Sequence, residues 1–428
     1  MTEVVAVPRG RFQILADEWR PLLASAAAYF FLLGGYYMLR SPREAYALQV
    51  GRENIDLLFY VSMAVMVPVL PAYWWLVGRV RRGWLYAGVV SSVAVLFLAL
   101  GLALRAAPDS RVLAGVFFVA VTSLNLFLVT VFWSTMVDLW RSGAAKRLFG
   151  VIAAGGSAGA ISGPAFNALF VGSLGTANVI FVACGMLLAA VVCGRLAQGW
   201  ALVTDSAAAR PDTIVGGRVI DDLKRLATSP YLLAIGGLIV AGQVLGAFMY
   251  QEQARFVAEN YVSNEARTGL FARLDLAVNV LALLAQVFVV GWLVARGGVR
   301  WSLSAVPLVL IASLVPLALF PLGAVLLATQ IVRRAADYGL FKPTREMLFT
   351  VLNPETKFKS KSLLDTLLQR GGDSLGQWLY GFVAVLGLAA NAWICALFSL
   401  LMLGVAIWLG GQFSRSESDM RQGASTRL

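Results

Sequence analysis

The chain has 428 residues, 59% of them hydrophobic and 14% charged, where soluble domains hold roughly 45–50% apolar and about 25% charged residues. That excess of apolar surface excludes an ordinary soluble fold and calls for lipid as a second solvent. The net charge of +12 then reads first as membrane topology and attraction to anionic lipid, with no nucleic acid implied, because cytoplasmic loops retain Lys and Arg.

The apolar runs are continuous and about 20 residues long, enough to cross a hydrocarbon core of about 30 Å as helices. Strands of a β-barrel would alternate apolar and polar residues instead. The expected fold class is therefore an all-α polytopic membrane protein. Asp17 and Glu18 stand close to the first apolar run, and no small-residue cleavage site follows it, so that run is kept as a mature helix rather than a signal peptide.

Twelve spans are predicted, near 21–39, 56–78, 84–104, 111–137, 149–170, 176–197, 230–251, 269–294, 301–319, 321–340, 367–389 and 391–411. Only Phe320-Pro321-Leu322-Gly323 separates the ninth from the tenth. With both termini inside, the cytoplasmic segments collect Arg9, Arg11, Arg20, Arg79, Arg81, Arg82, Arg141, Lys146 and Arg147. Arg210, Arg218, Lys224, Arg225, Lys342, Arg345, Lys357, Lys359 and Lys361 join them, and the opposite side holds fewer cations. That bias orients the chain with both termini cytoplasmic, and the expected location is a bacterial inner membrane.

The longest polar connection, 198–229, divides the chain into bundles 21–197 and 230–411, with a cytoplasmic N-terminus over 1–20 and a tail over 412–428. The halves echo each other. Lys146-Arg147-Leu148-Phe149 precedes Gly155-Gly156-Ser157-Ala158-Gly159, and Lys361-Ser362-Leu363-Leu364 precedes Gly371-Gly372-Asp373-Ser374. Repeated bundles are a common transporter plan. Two six-helix halves resemble the major facilitator architecture, and Gly78-Arg79-Val80-Arg81-Arg82-Gly83 resembles a degraded form of its loop between helices two and three. Gly155, Gly159 and Gly163 form a small-xxx-small series suited to close helix packing.

Charges inside or at the edges of spans are the clearest functional clues, because lipid penalises each one. At the end of the first span stand Arg40, Ser41, Pro42, Arg43 and Glu44, read as a helix broken at the proline. They form either a snorkelling Arg–Glu pair or a cationic lip for an anion. In the tenth span Gln330, Arg333, Arg334 and Asp337 share a face at helical spacing. Guanidinium forks of this kind bind phosphate or carboxylate in bidentate fashion, although a gating ion pair is the plainer alternative. Next come Phe341-Lys342-Pro343-Thr344-Arg345-Glu346-Met347 and then Pro354-Glu355-Thr356-Lys357-Phe358-Lys359-Ser360-Lys361, much of it read as a cytoplasmic loop, followed by Arg370 and Asp373 entering the eleventh span. Asp138 ends the fourth span, and Arg273 with Asp275 open the eighth, each a candidate gate pair.

Cys184, Cys193 and Cys395 lie inside apolar runs and read as small hydrophobes. The chain has no histidine, which excludes His-based metal, catalytic and proton-relay chemistry. No nucleotide-binding loop of the G-x-x-x-x-G-K-[ST] type and no nucleophile–base set is present, so neither a primary pump nor an enzyme is expected, and no cofactor or metal is called for.

Three motifs carry a family resemblance. Leu39-Arg40 with Arg43-Glu44 resembles an L-R-x-x-[KR]-[DE] segment. Phe132-Trp133 followed by Ala145-Lys146-Arg147-Leu148-Phe149 resembles F-W … A-K-R-x-[FY]. Pro343-Thr344-Arg345-Glu346-Met347, then Glu355-Thr356-Lys357-Phe358-Lys359-Ser360-Lys361 and Asp365, is similar to P-x-[KR]-E-M … E-T-K-x-K-x-K … D. Together they resemble the ATP/ADP translocase-type nucleotide transporters. The resemblance implies a major facilitator-like fold and exchange of nucleotides such as ATP and ADP. It places that family's essential lysines on Arg43 and Arg345, which keep the charge and change the shape. The acid that the family carries within its fourth span has no counterpart here, where Asn125 is the strongly polar residue.

Three readings stay open at this stage. The first is a secondary carrier of a nucleotide or related anion, using Arg40, Arg43, Arg333, Arg334, Arg345 and Arg370 for binding. Glu44, Asp138, Asp275, Asp337, Glu346 and Asp373 would serve coupling or gating. The second is a proton-coupled carrier of another solute. The third is a membrane scaffold or receptor.

Overall fold

The computed structural model describes residues 18–77, 79, 82–140, 142–204, 229–351 and 368–425. The described residues are helical, with no strand among them. The linker beyond 204, the Glu355–Lys361 run and Asp365 lie outside them.

Two compact units divide the chain. The first holds α1 (Trp19–Val50), most of α2 (Ile55–Val77), α3 (Arg82–Ala106), α4 (Arg111–Leu139), α5 (Ser142–Leu174) and α6 (Thr176–Thr204), together with residues 263–273. The second takes residues 51–63, α7 (Pro230–Asn260) and α8 (Asn264–Leu284) from Leu274 onward. It continues with α9 (Gly291–Leu319), α10 (Gly323–Ala336), α11 (Lys342–Leu348), α12 (Gln369–Val383) and α13 (Gly387–Ser425). π-helical turns at Ala285–Val290 and Asp337–Phe341 join α8 to α9 and α10 to α11.

Among the described residues, eight helical stretches are long and apolar enough to cross a membrane. Two of them, Asn264–Leu319 and Gln369–Ser418, run to 56 and 50 residues and each covers two predicted spans. Both contain a glycine at positive φ: Gly298 at 68° and Gly387 at 81°. An L side chain is disfavoured there, so glycine allows the chain to turn between spans. With α2 and α10, the twelve predicted spans each have a helical counterpart. Large apolar side chains such as Val112, Leu169, Phe288 and Leu401 are exposed, as a lipid-facing belt requires.

In the first unit α1 packs mainly on α5 and α6. A Cβ added at Gly159 would strike the carbonyl oxygen of Phe30, and one at Gly163 would lie 2.5 Å from that of Gly34. The small-xxx-small series is thus the seam of α1 against α5. Tyr29, Phe132 and Trp133 build an aromatic cluster over it, with Tyr29 and Phe132 stacked at 4.3 Å. In the second unit α9 packs on α13, and α7 on α12.

The helix break expected at Pro42 does not occur, and α1 continues to Val50. Proline removes the N–H that would bond the carbonyl four residues earlier. Here that carbonyl belongs to Met38, and Asn167 of α5 donates to it from Nδ2 at 2.8 Å. A tertiary hydrogen bond supplies the donor that the backbone lacks.

Candidate functional site

Each unit contains a cationic cluster. In the first, Arg43 is largely buried on α1. It pairs with Glu44, reaches Thr122 Oγ1 of α4 at 3.5 Å and lies 5.2 Å over the Phe118 ring. Arg40, one turn earlier, stands 5.6 Å over Tyr37. Ser41 between them is fully buried, and its hydroxyl has no hydrogen-bond partner.

The second cluster follows α10 into α11. Arg333 Nε donates to Gln330 Oε1 at 2.9 Å, while Gln330 donates to Gln253 Oε1 at 2.6 Å and to the Met249 carbonyl at 3.0 Å. Arg334 pairs with Asp275 of α8, which is 3% exposed. The expected local pairs, Asp337 with the arginines and Asp275 with Arg273, are therefore replaced for Arg334 and Asp275 by an ion pair between helices. Asp275 also lies well inside α8, which begins at Asn264. The physical reason is burial: Asp275 and Arg334 are both largely removed from water, whereas Arg273 is exposed, and a buried carboxylate needs a close cation.

Between the two halves of this cluster lies the π turn Asp337–Phe341. Such turns insert one residue into a helix and are frequent at functional sites. Gln286, from the other π segment, donates to the Tyr338 carbonyl at 3.0 Å, so the two irregular turns support each other. Beyond it Lys342 stands 4.3 Å over the Tyr338 ring. Arg345 is 5% exposed, lies 3.6 Å from Glu346 and sits 5.9 Å over Phe341. The expected loop is a helix over Lys342–Leu348, α11, and Thr344 is buried against Ser302 through a 2.8 Å hydroxyl contact, while Pro354–Lys361 lies outside the described residues. Pro343 is tolerated because it occupies the first turn, where its missing N–H has no intrahelical partner.

Arg40-Ser41-Pro42-Arg43-Glu44 and Lys342-Pro343-Thr344-Arg345-Glu346 share one pattern. Each has a cation over a tyrosine, a proline, a fully buried hydroxyl residue, a largely buried arginine over a phenylalanine, and then a glutamate. The remaining expected residues are more peripheral. Arg370 and Asp373 are partly exposed and stand 4.0 Å apart on α12, and Asp138 is exposed at the end of α4.

Glu252 was not anticipated. The predicted seventh span stops at 251, whereas α7 continues to Asn260 and buries Gln251, Glu252 and Gln253. The signal was three consecutive polar residues at the end of an apolar run. Gln251 donates to Gln377 Oε1 at 2.6 Å and to Asp56 Oδ1 at 3.2 Å, while Tyr380 and Asn391 donate to Glu252.

Comparison with known proteins adds independent findings. Residues 218–414 match the family model of the TLC ATP/ADP transporter. ADP,ATP carrier protein 2 of Chlamydia pneumoniae is 23% identical over 212 residues, covering 43% of this chain and 38% of that carrier. The match thus spans well under half of the curated relative. Over that stretch the chain is similar to the ATP/ADP translocase-type transporters, and the Pro343–Met347 motif falls inside it.

Among solved structures, a bacterial homologue of the iron transporter ferroportin in an inward-facing state superposes with a TM-score of 0.68 at 12% identity. That likeness covers 93% of this chain and 100% of the homologue. A mutant of the nucleoside transporter NupG gives 0.60 at 12% identity, covering 92% of this chain and 99% of that one. At such identities the likeness concerns the fold, which is all-α, polytopic and major facilitator-like.

Proposed function

We propose, starting from the translocase-type match over residues 218–414, that the chain is a secondary active carrier of a nucleotide or related phosphorylated anion. It works by alternating access in a bacterial inner membrane, with cytoplasmic termini and without enzymatic activity. The observation that carries this reading is the doubled pattern around Arg43 and Arg345. A guanidinium withdrawn from water inside a membrane protein is costly unless something negative compensates it. Each copy of the pattern carries two cations and one glutamate, which leaves one positive charge in excess, and the fork geometry of arginine suits a phosphate that exchanges with the glutamate.

In the first unit Arg40 and Arg43 form the anion-binding pair. In the second, Arg333, Arg334 and Arg345 do so, with Arg370 at the periphery. Glu44, Glu346 and Asp275 are the carboxylates that hold these cations when the solute is away. Asp138, Asp337 and Asp373 are the remaining gating candidates.

Flux into proteoliposomes containing the purified chain tests the reading. A panel of labelled nucleotides and organic anions is presented with and without internal unlabelled nucleotide. Uptake of ATP or ADP stimulated by internal nucleotide is expected. Uptake of none of the nucleotides, alongside uptake of another solute, refutes it.

A further inference from the structure

The described residues bury three carboxylates: Glu44, Glu252 and Asp275. Two of them face arginines, Glu44 through Arg43 and Asp275 through Arg334. Glu252, 2% exposed on α7, has no ion-pair partner among the described residues. Its partners are neutral donors, and both converge on one oxygen. Tyr380 of α12 donates to Oε1 at 3.0 Å, and Asn391 of α13 donates to the same atom at 2.6 Å. Neither reaches Oε2. Asn391 is fully buried, and its own Oδ1 has no hydrogen-bond partner.

A buried carboxylate without a cation is costly, and so is a buried amide oxygen without a donor. One added proton relieves both. A proton on Oε1 removes the charge, and a flip of the Asn391 amide puts Oδ1 in the place of Nδ2, where it accepts from that carboxyl O–H. The site therefore has two hydrogen-bonding arrangements, one for each protonation state. The charged and titratable groups around it are few. Arg255 lies three residues further along α7, and Arg52 shares with it the neighbourhood of Tyr380. Cys395 follows one turn after Asn391 on α13, within electrostatic reach of both Glu252 and Arg333 of α10.

We propose that Glu252 is a proton-binding site coupled to transport, so that the carrier moves a proton together with, or against, its solute. The inference rests on the carrier reading above and adds the coupling ion. The step is a proton transfer alone: an O–H bond forms at Oε1 with a proton from water on one side and breaks to water on the other. Coupling requires only that the two arrangements favour different conformations of the carrier.

Two measurements on the purified full-length chain decide it. In pH-difference infrared spectra the protonated carboxyl group is seen directly through its C=O stretch. A band that titrates in the wild type, disappears in Glu252→Gln and persists in Asp275→Asn is expected. No such band, or one that survives in Glu252→Gln, overturns proton binding.

In proteoliposomes, a proton gradient imposed across the membrane should change wild-type ATP or ADP uptake severalfold. In Glu252→Gln the ratio of uptake with and without the gradient should fall to about one. Gradient-independent uptake by the wild type, or a gradient response kept by the variant, overturns the coupling. Where Glu252→Gln fails to fold, Tyr380→Phe replaces it. Loss of a donor to the ionised form should move the band to higher pH, and an unmoved band counts against the site. Absence of all nucleotide flux in the wild type sinks the carrier reading alone, since the infrared band still reports on Glu252.

Discussion

Arg43 and Arg345 occupy the same position in two copies of one five-residue pattern, one in each unit of the chain. Both are largely buried, both lie over a phenylalanine ring, and both neighbour a glutamate. The likeness goes beyond charge, since the preceding cation in each copy also stands over a tyrosine. If these arginines bind phosphate, each contributes a charge-assisted hydrogen bond of about 1.5–3 kcal/mol. Arg43→Ala and Arg345→Ala should each lower uptake of ATP or ADP by roughly 10- to 100-fold, since about 1.4 kcal/mol is tenfold. Nucleotide should raise the melting temperature of the wild type and fail to do so in the variants. Normal transport in both variants removes the site assignment.

The Asp275–Arg334 pair makes a different prediction. Removing one member of a buried pair costs about 3–5 kcal/mol, because the other is left as an uncompensated charge. Asp275→Asn and Arg334→Gln should each lower the thermal midpoint of the detergent-solubilised protein. The double variant should recover much of the loss. Additive losses in the double variant would mean that the two residues stabilise the fold independently.

Asn167 is predicted to matter for α1 alone. Asn167→Ala leaves the Met38 carbonyl without the donor that Pro42 cannot supply, at a cost of about 1–3 kcal/mol. Restoring the backbone donor with Pro42→Ala in the same chain should return most of that stability. Thermal melting of the two single variants and the double variant checks this, and the pairing is refuted if the double variant is no better than Asn167→Ala.

The glycine seam offers a test of packing. Gly159→Ala brings a methyl group against the Phe30 carbonyl, whereas a methyl group at Gly172 meets nothing within 4 Å. Overpacking of this kind costs typically about 1–3 kcal/mol. Gly159→Ala should lower the melting temperature and the yield of monodisperse protein, while Gly172→Ala stays within about 0.5 kcal/mol of wild type. Equal behaviour of the two variants would show that the seam can relax.

Much of the architecture is written in hydropathy. Lipid is uniform and apolar, so a run of about 20 apolar residues has one outcome wherever it falls. The twelve helical counterparts followed from that constraint. The small-xxx-small seam was legible because only small side chains let two backbones approach so closely. Arg43 and Arg345 stood out because charge beside an apolar run is conspicuous in any sequence.

Partnership was not legible, because it is a property of distant segments. Nothing local couples Asn167 to Met38, Arg334 to Asp275, or Tyr380 and Asn391 to Glu252. Sequence rules saw Pro42 as a stop and much of the stretch around Arg345 as a loop, since they count only the bonds a segment can make with itself. The tertiary structure decided otherwise by supplying donors, cations and burial from helices far away in the chain. The sequence by itself determined that the chain lives in lipid and where its charges lie. Only the packed helices determined which of those charges are already paired, and which carboxylate is left with neutral company.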